Sequence, residues 1–211
     1  MRGLPLILLA FLLAGCTVGG SKDSPESGGD DGLTRYEISS GHFSIAVPDT
    51  WHATTSTQMQ KAAFKQFARE NPGFRPYAEA AARKNSPLKL VAYDPVIRKR
   101  FVTNVNVVVS PTTKKFTAQT LRRALAKEAK TLASSKVRAT DVSLPAGKAV
   151  RLQYRARFTF TGRRTLVSTL QYSFLLDKKL YVLTYTSLPA YAAEYDWAFR
   201  KSAASFRLAE S

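Results

Sequence analysis

Apolar and polar residues alternate most cleanly over residues 150–160. Val150, Leu152, Tyr154, Ala156, Phe158 and Phe160 fall on one side, and Arg151, Gln153, Arg155, Arg157 and Thr159 on the other. A period of two predicts a strand, here over 148–160, with one face in a core and the other facing water or a ligand. Strands are also predicted over 137–144, 164–176 and 180–187, separated by Pro145-Ala146-Gly147, Thr161-Gly162-Arg163 and Asp177-Lys178-Lys179. Connections this short force antiparallel neighbours. Upstream, residues 43–47 alternate until Pro48, residues 88–93 form a short strand before Asp94-Pro95, and residues 101–109 form a longer one. In that strand Phe101, Val105, Val107 and Val109 share one face, with Asn104 and Asn106 on the other. Helical spacing governs the remainder. Met59, Ala63 and Phe67 recur every fourth residue over 56–69, with Ser56 as a cap, and Pro76 opens an Ala-rich helix to about residue 84. Residues 117–133 bury Leu121, Leu125 and Leu132 and expose Arg123, Lys127 and Lys130. Residues 191–206 carry Glu194 and Asp196 early and Arg200 and Lys201 late, as the helix dipole prefers. The order is strand, helices, two strands, helix, four-strand meander, helix. This predicts an α+β fold, a mostly antiparallel sheet flanked by helices.

The N-terminal segment follows a different pattern. Arg2 precedes a mostly Leu/Ile/Ala run from Leu4 to Leu13, long enough for a signal-peptide core and too short to span a ~30 Å bilayer. The run ends in Leu13-Ala14-Gly15-Cys16, and Cys16 is the only cysteine of the chain. This resembles the lipobox of bacterial lipoproteins. The resemblance implies cleavage after Gly15 and a diacylglycerol thioether on Cys16, two acyl chains being enough for stable anchoring. Residues 17–34, rich in Gly and Ser and without an aromatic, read as a flexible tether with an r.m.s. reach of roughly 24 Å. The expected organisation is a signal peptide over 1–15, a lipidated cysteine and tether over 16–34, and a folded domain over 35–211.

Composition narrows the chemistry. The chain has 211 residues and a formal charge of +17. Setting aside Arg2, Lys22 and the four acids of the tether, residues 35–211 carry +19. A single cysteine excludes an internal disulfide, and two histidines with one cysteine exclude a four-ligand His/Cys zinc site. No metal is expected.

The segment Phe43-x-x-x-Val47-Pro48-x-x-Trp51, the strand from Thr103 to Val109, the meander and the C-terminal aromatic helix together resemble a Mog1/PsbP-like domain. They are most similar to actinobacterial lipoproteins of the LpqN type. The likeness runs over about residues 43–206, and the Ala- and Lys/Arg-rich stretch 56–84 departs from it. It implies an α/β/α sandwich used as a binding or assembly module, without a cofactor and without a catalytic residue to carry over.

The residues show no catalytic pattern, so no enzyme is expected; one would need His42 or His52 to converge with an acid in a cleft. His42 and His52 flank the first strand, with no Gly-x-Ser-x-Gly, Ser-x-x-Lys or phosphate-loop motif elsewhere. Trp51 reads as core. Binding chemistry is better represented. Basic residues cluster as Arg98-Lys99-Arg100, Lys114-Lys115, Arg122-Arg123, Arg151/Arg155/Arg157, Arg163-Arg164 and Lys178-Lys179. A domain at +19 seeks polyanions. Export argues against nucleic acid and leaves anionic lipid or anionic wall polymer, with a protein partner as the other expectation. Asn104 and Asn106, Gln153 between Arg151 and Arg155 and Arg157, and Gln171 with Thr169 and Ser173 form the candidate ligand floor if their faces coincide. Otherwise helices cover the amides. Arg163 and Arg164, at the adjoining turn, are candidate contacts to an anionic surface. A groove for a small amphiphile between helices and sheet is the alternative. The expected location is the outer face of the cell membrane.

Overall fold

The computed structural model describes residues 32–55, 69, 86–112, 116–160 and 162–209. Cys16, the signal segment and, Arg69 apart, the expected helices over 56–69 and 76–84 lie outside them. The described strands are β1 (Leu33–Ile38), β2 (Phe43–Pro48), β3 (His52–Thr54), β4 (Leu88–Arg98), β5 (Phe101–Pro111), β6 (Arg138–Leu144), β7 (Gly147–Phe160), β8 (Arg163–Leu176), β9 (Lys179–Ser187) and β10 (Arg207–Leu208). The α-helices with described bounds are α1 (Ala118–Leu132) and α2 (Ala192–Ser205). The fold is α+β. Seven strands form one antiparallel sheet in the order β3-β4-β5-β9-β8-β7-β6, and β1-β2-β10 form a small second sheet.

The meander follows from its turns. Phe160 pairs with Arg163, Leu144 with Gly147 and Leu176 with Lys179, so each connection is two residues long. Asp177 and Lys178 take left-handed φ values of 48° and 57°, and Lys99 and Arg100 between β4 and β5 take 52° and 65°. Two consecutive positive φ angles match the right-handed twist of a hairpin. A two-residue turn fixes the register, and register decides which side chains face inward. Leu152, Tyr154 and Phe158 are buried, while Gln153, Arg155 and Arg157 are exposed.

The large sheet is apolar on both faces. One layer packs Val150, Leu152, Val167 and Val182 against Leu121, Leu125 and Ala129 of α1, which recur every fourth residue. Thr117 and Thr120 close a reciprocal capping box at the start of α1. The opposite layer packs Val105, Val107, Leu183 and Tyr185 against α2 and the small sheet. Trp51 is buried there as expected, its ring edge-on to Tyr195 and Phe199, with centroids 6.3 Å from each. Polar bonds tie the layers together. The Tyr195 hydroxyl donates to Asp94, and Tyr185 and Ser202 hydroxyls lie 3.1 Å apart. Ser205 Oγ accepts from the Ala46 amide at 2.7 Å.

Three details depart from expectation. β4 runs through Asp94-Pro95 instead of ending there. Tyr93 pairs with Asn104 and Ile97 with Val102, so the proline falls in a bulge, where its missing N–H breaks no ladder bond. The Asp94 carboxylate accepts from the Val96 amide at 2.9 Å and shapes that bulge. Phe101 joins the α1 layer, edge-on to Phe160, and not the face of Val105. β1 starts at Leu33, inside the segment assigned to the tether.

Candidate functional site

The expected polar floor is divided between two faces. Asn104 and Asn106 on β5, Thr169, Gln171 and Ser173 on β8, and Thr184 and Thr186 on β9 all turn toward the α1 layer, and all are buried. They align across the strands: Asn104 opposite Thr186, Thr186 opposite Thr169, and Thr169 opposite Tyr154. Gln171 Nε2 donates to Ser173 Oγ at 3.0 Å, and Asn104 Nδ2 to the Val102 carbonyl at 3.0 Å. Arg151, Gln153, Arg155 and Arg157 point to the opposite face, because β7 alternates and its odd residues lie away from α1. The amides of Asn104, Asn106 and Gln171 therefore do not share a floor with these guanidiniums, and of the expected amides Gln153 alone does.

The guanidinium face adjoins α2. Register places Arg138 opposite Gln153 and Gln153 opposite Leu170; one step along, Arg155 faces Ser168 and Ser168 faces Ser187. The end of α1 braces this region: the Ser134 amide donates to the Arg155 carbonyl at 2.7 Å, and the Arg155 amide to Ser135 Oγ at 2.8 Å. Between these strands and α2 runs a groove of about 470 Å³. Lys136, Arg138 and Arg155 line its basic side, and Leu170, Ala192 and Phe199 its apolar side. Asp196 also lines it, with its carboxylate 2.8 Å from Arg200. Ser187 Oγ is buried at the groove without a hydrogen-bond partner.

The candidate cations have different surroundings. Arg151 is half-buried opposite Tyr172; burial raises the Tyr172 phenol and the Arg151 charge partly offsets this. Arg155, Arg157, Arg163 and Arg164 are exposed. Among the described residues, the ion pairs are Arg98–Glu194, Arg122–Asp141 and Arg200–Asp196, which leaves those four arginines without a carboxylate partner. Arg164 pairs with Thr159 and so shares the face of Arg155 and Arg157. Arg98 is engaged by Glu194 at 3.2 Å and lies 4.5 Å from the Tyr191 ring centroid. His42 sits at a left-handed turn and His52 stacks on Tyr93. Among the described residues, no three His, Cys, Asp or Glu side chains are grouped to hold a metal, and no helix is long and apolar enough to cross a membrane.

One carboxyl on the α1 side has a shifted titration. Burial pushes Glu128 up to about 8 from an ordinary value of 4.5. Nearby Tyr154 is raised chiefly by its own burial and further by the Glu128 charge; the Thr169 hydroxyl beside it works the other way without closing a well-aligned hydrogen bond. Between the ordinary and raised values the folded chain holds a proton that the unfolded chain has lost. Stability therefore falls as pH rises through that window. The urea midpoint is expected to drop between about pH 5 and about pH 9, and Glu128→Gln should remove that part of the drop. An equal drop in the variant would contradict the assignment.

Sequence reading missed Lys136, Arg138, Ser168, Ser187 and the α2 wall. The signal was present in the two-residue turns. Pairing Leu144 with Gly147 puts Arg138 opposite Gln153, and pairing Leu176 with Lys179 puts Ser168 opposite Ser187.

No protein-family model and no curated protein matches the chain. Solved structures do. The solution structure of CyanoP, the cyanobacterial PsbP of Synechocystis, covers 90% of this chain and 98% of its own, at 13% identity and a TM-score of 0.49. The crystal structure of LpqN, a protein involved in cell envelope biogenesis of Mycobacterium tuberculosis, covers 88% of this chain and 89% of its own, at 12% identity and a TM-score of 0.50. At that identity the likeness to LpqN is one of fold: the two chains share an architecture over nearly their whole lengths.

Proposed function

We propose that this is a lipid-anchored, non-enzymatic envelope protein of the LpqN kind, which holds an anionic envelope component against the basic half of its large sheet. The observation that carries the reading is the set of exposed guanidiniums Arg155, Arg157 and Arg164 on one face, without a carboxylate partner among the described residues, with Arg163 at the adjoining turn. Residues two apart on a strand lie about 6–7 Å from each other, so these charges meet a surface together. The Leu13-Ala14-Gly15-Cys16 segment supports an envelope address, and the shared fold with LpqN supports the same one. Anionic head groups and wall polymers are the polyanions at that address. A protein partner is the rival occupant of the same face.

Two experiments test the reading. Cys16→Ser should abolish palmitate labelling and release the chain from the membrane fraction; labelling that persists would contradict the anchor. A photo-crosslinking residue in place of Arg157, activated in intact envelopes, should capture anionic lipid or polymer. Adducts to protein alone would hand the face to a protein partner.

A further inference from the structure

The groove beside α2 has a chemistry of its own. Lys136, Arg138 and Arg155 gather on one side of it, and its lining carboxylate, Asp196, is already neutralised by Arg200 at 2.8 Å. The groove is therefore a local excess of positive charge with a defined shape. Its floor adds uncharged hydrogen-bonding groups. Gln153 stands opposite Arg138, and Ser168 stands between Arg155 and Ser187 across the strands. Neighbouring strands are about 4.8 Å apart and successive same-face residues about 6–7 Å, so Gln153, Arg155 and Ser168 stand within about 8 Å of one another, with Arg138 one strand beyond Gln153 and Ser187 one strand beyond Ser168. Ser187 is 1% exposed and its hydroxyl has no partner. A buried hydroxyl without a partner is uncommon and calls for a group to satisfy it. Leu170 and Phe199 supply an apolar wall. The volume of about 470 Å³ falls within the range of small-ligand sites.

We propose that this groove binds a phosphomonoester that carries a hydroxylated body. Lys136, Arg138 and Arg155 hold the phosphoryl oxygens, and Gln153, Ser168 and Ser187 meet the hydroxyls. Three cations suit a dianion better than a singly charged carboxylate, and the arginine fork suits phosphate geometry. The site deepens the anionic-component reading above and rests on it. The phosphomonoester could be that of a soluble sugar phosphate or of a lipid head group.

The test is titration calorimetry on the full chain held in phosphatidylcholine nanodiscs. The soluble probe is glucose 1-phosphate with glucose as its control. The lipid arm replaces part of the phosphatidylcholine in separate vesicles with phosphatidic acid. Glucose 1-phosphate is expected to saturate one site, at least about tenfold more weakly in Arg138→Gln and in Arg155→Gln, while glucose gives no heat. Saturation by phosphatidic acid vesicles alone, with the same sensitivity to both substitutions, assigns the lipid as the source. Failure of both phosphate probes to saturate overturns the proposal, as does binding that ignores both substitutions. Phosphatidylglycerol vesicles run in parallel separate the two readings: if these bind and the phosphomonoesters do not, only the groove is overturned, and if nothing binds both readings fall.

Discussion

Replacing Phe206 with alanine is expected to cost about 3–5 kcal/mol of stability. Phe206 follows α2, is fully buried, and lies where the small sheet meets the large one. Its ring stacks on Phe174 at 5.1 Å and contacts Phe43 at 5.4 Å and Tyr181 at 5.5 Å. These neighbours come from β8, β2 and β9, whose backbones are fixed by ladder bonds and cannot collapse into the vacated space. The cost is therefore the lost transfer energy plus a cavity. Against a total stability of about 5–15 kcal/mol for a domain, that is a large share. Urea denaturation should show a lower midpoint with an unchanged slope. Trp197→Ala is the control: its side chain is 52% exposed, and the change should stay within about 0.5 kcal/mol. A loss below about 1 kcal/mol for Phe206→Ala would mean that the two sheets do not share this aromatic joint.

Reversing Arg155 and Arg157 to glutamate has the largest expected effect on binding. Each basic residue near an anionic surface contributes about 1 kcal/mol, so neutralising two removes roughly thirtyfold in affinity. Reversal adds repulsion of similar size, which takes the loss past about a hundredfold at low salt. The fold should tolerate the change. Both side chains are exposed on β7 and neither has a carboxylate partner among the described residues, so no buried charge is created and no ion pair is broken.

The sequence displays such residues unevenly. The meander was legible because alternation and two-residue turns point the same way: β7, β8 and β9 begin one residue before the expected positions, at Gly147, Arg163 and Lys179. α1 and α2 were legible from spacing and charge. β1, β3 and β10 were not. β3 and β10 are three and two residues long, too short to show a period, and β1 alternates weakly next to a Gly-rich stretch. Pro95 suggested an end to β4 because a proline cannot donate to a ladder; the bulge between Tyr93 and Ile97 removes the need for donation, and the local bond from the Val96 amide to Asp94 shapes it.

The site was half legible for the same reason. Parity correctly grouped Arg155 with Arg157, and Asn104 with Asn106, each within a strand. Joining strands requires register summed through every turn between them. The expected union of the Asn104, Asn106 and Gln171 amides with the guanidiniums failed there: Gln171 and Arg151 lie on neighbouring strands, but Arg151 is opposite Tyr172, so the two point to opposite faces. The α2 wall of the groove was beyond parity altogether, since helix placement over a sheet depends on which apolar patch is left to cover. Here that patch is Trp51, Tyr185 and their neighbours, which draw in Tyr195 and Phe199.

The central claim is that the exposed guanidinium face of β7 and β8 meets an anionic surface. Co-sedimentation of the chain from residue 17 onward with vesicles containing phosphatidylglycerol tests it most directly, compared at about 50 mM and about 500 mM salt, between which the Debye length shrinks about threefold. The account predicts strong binding at low salt, little at high salt, and little at either for the Arg155→Glu, Arg157→Glu pair. Binding by the charge-reversed chain equal to that of the unaltered one, or no binding by either at low salt, would contradict it.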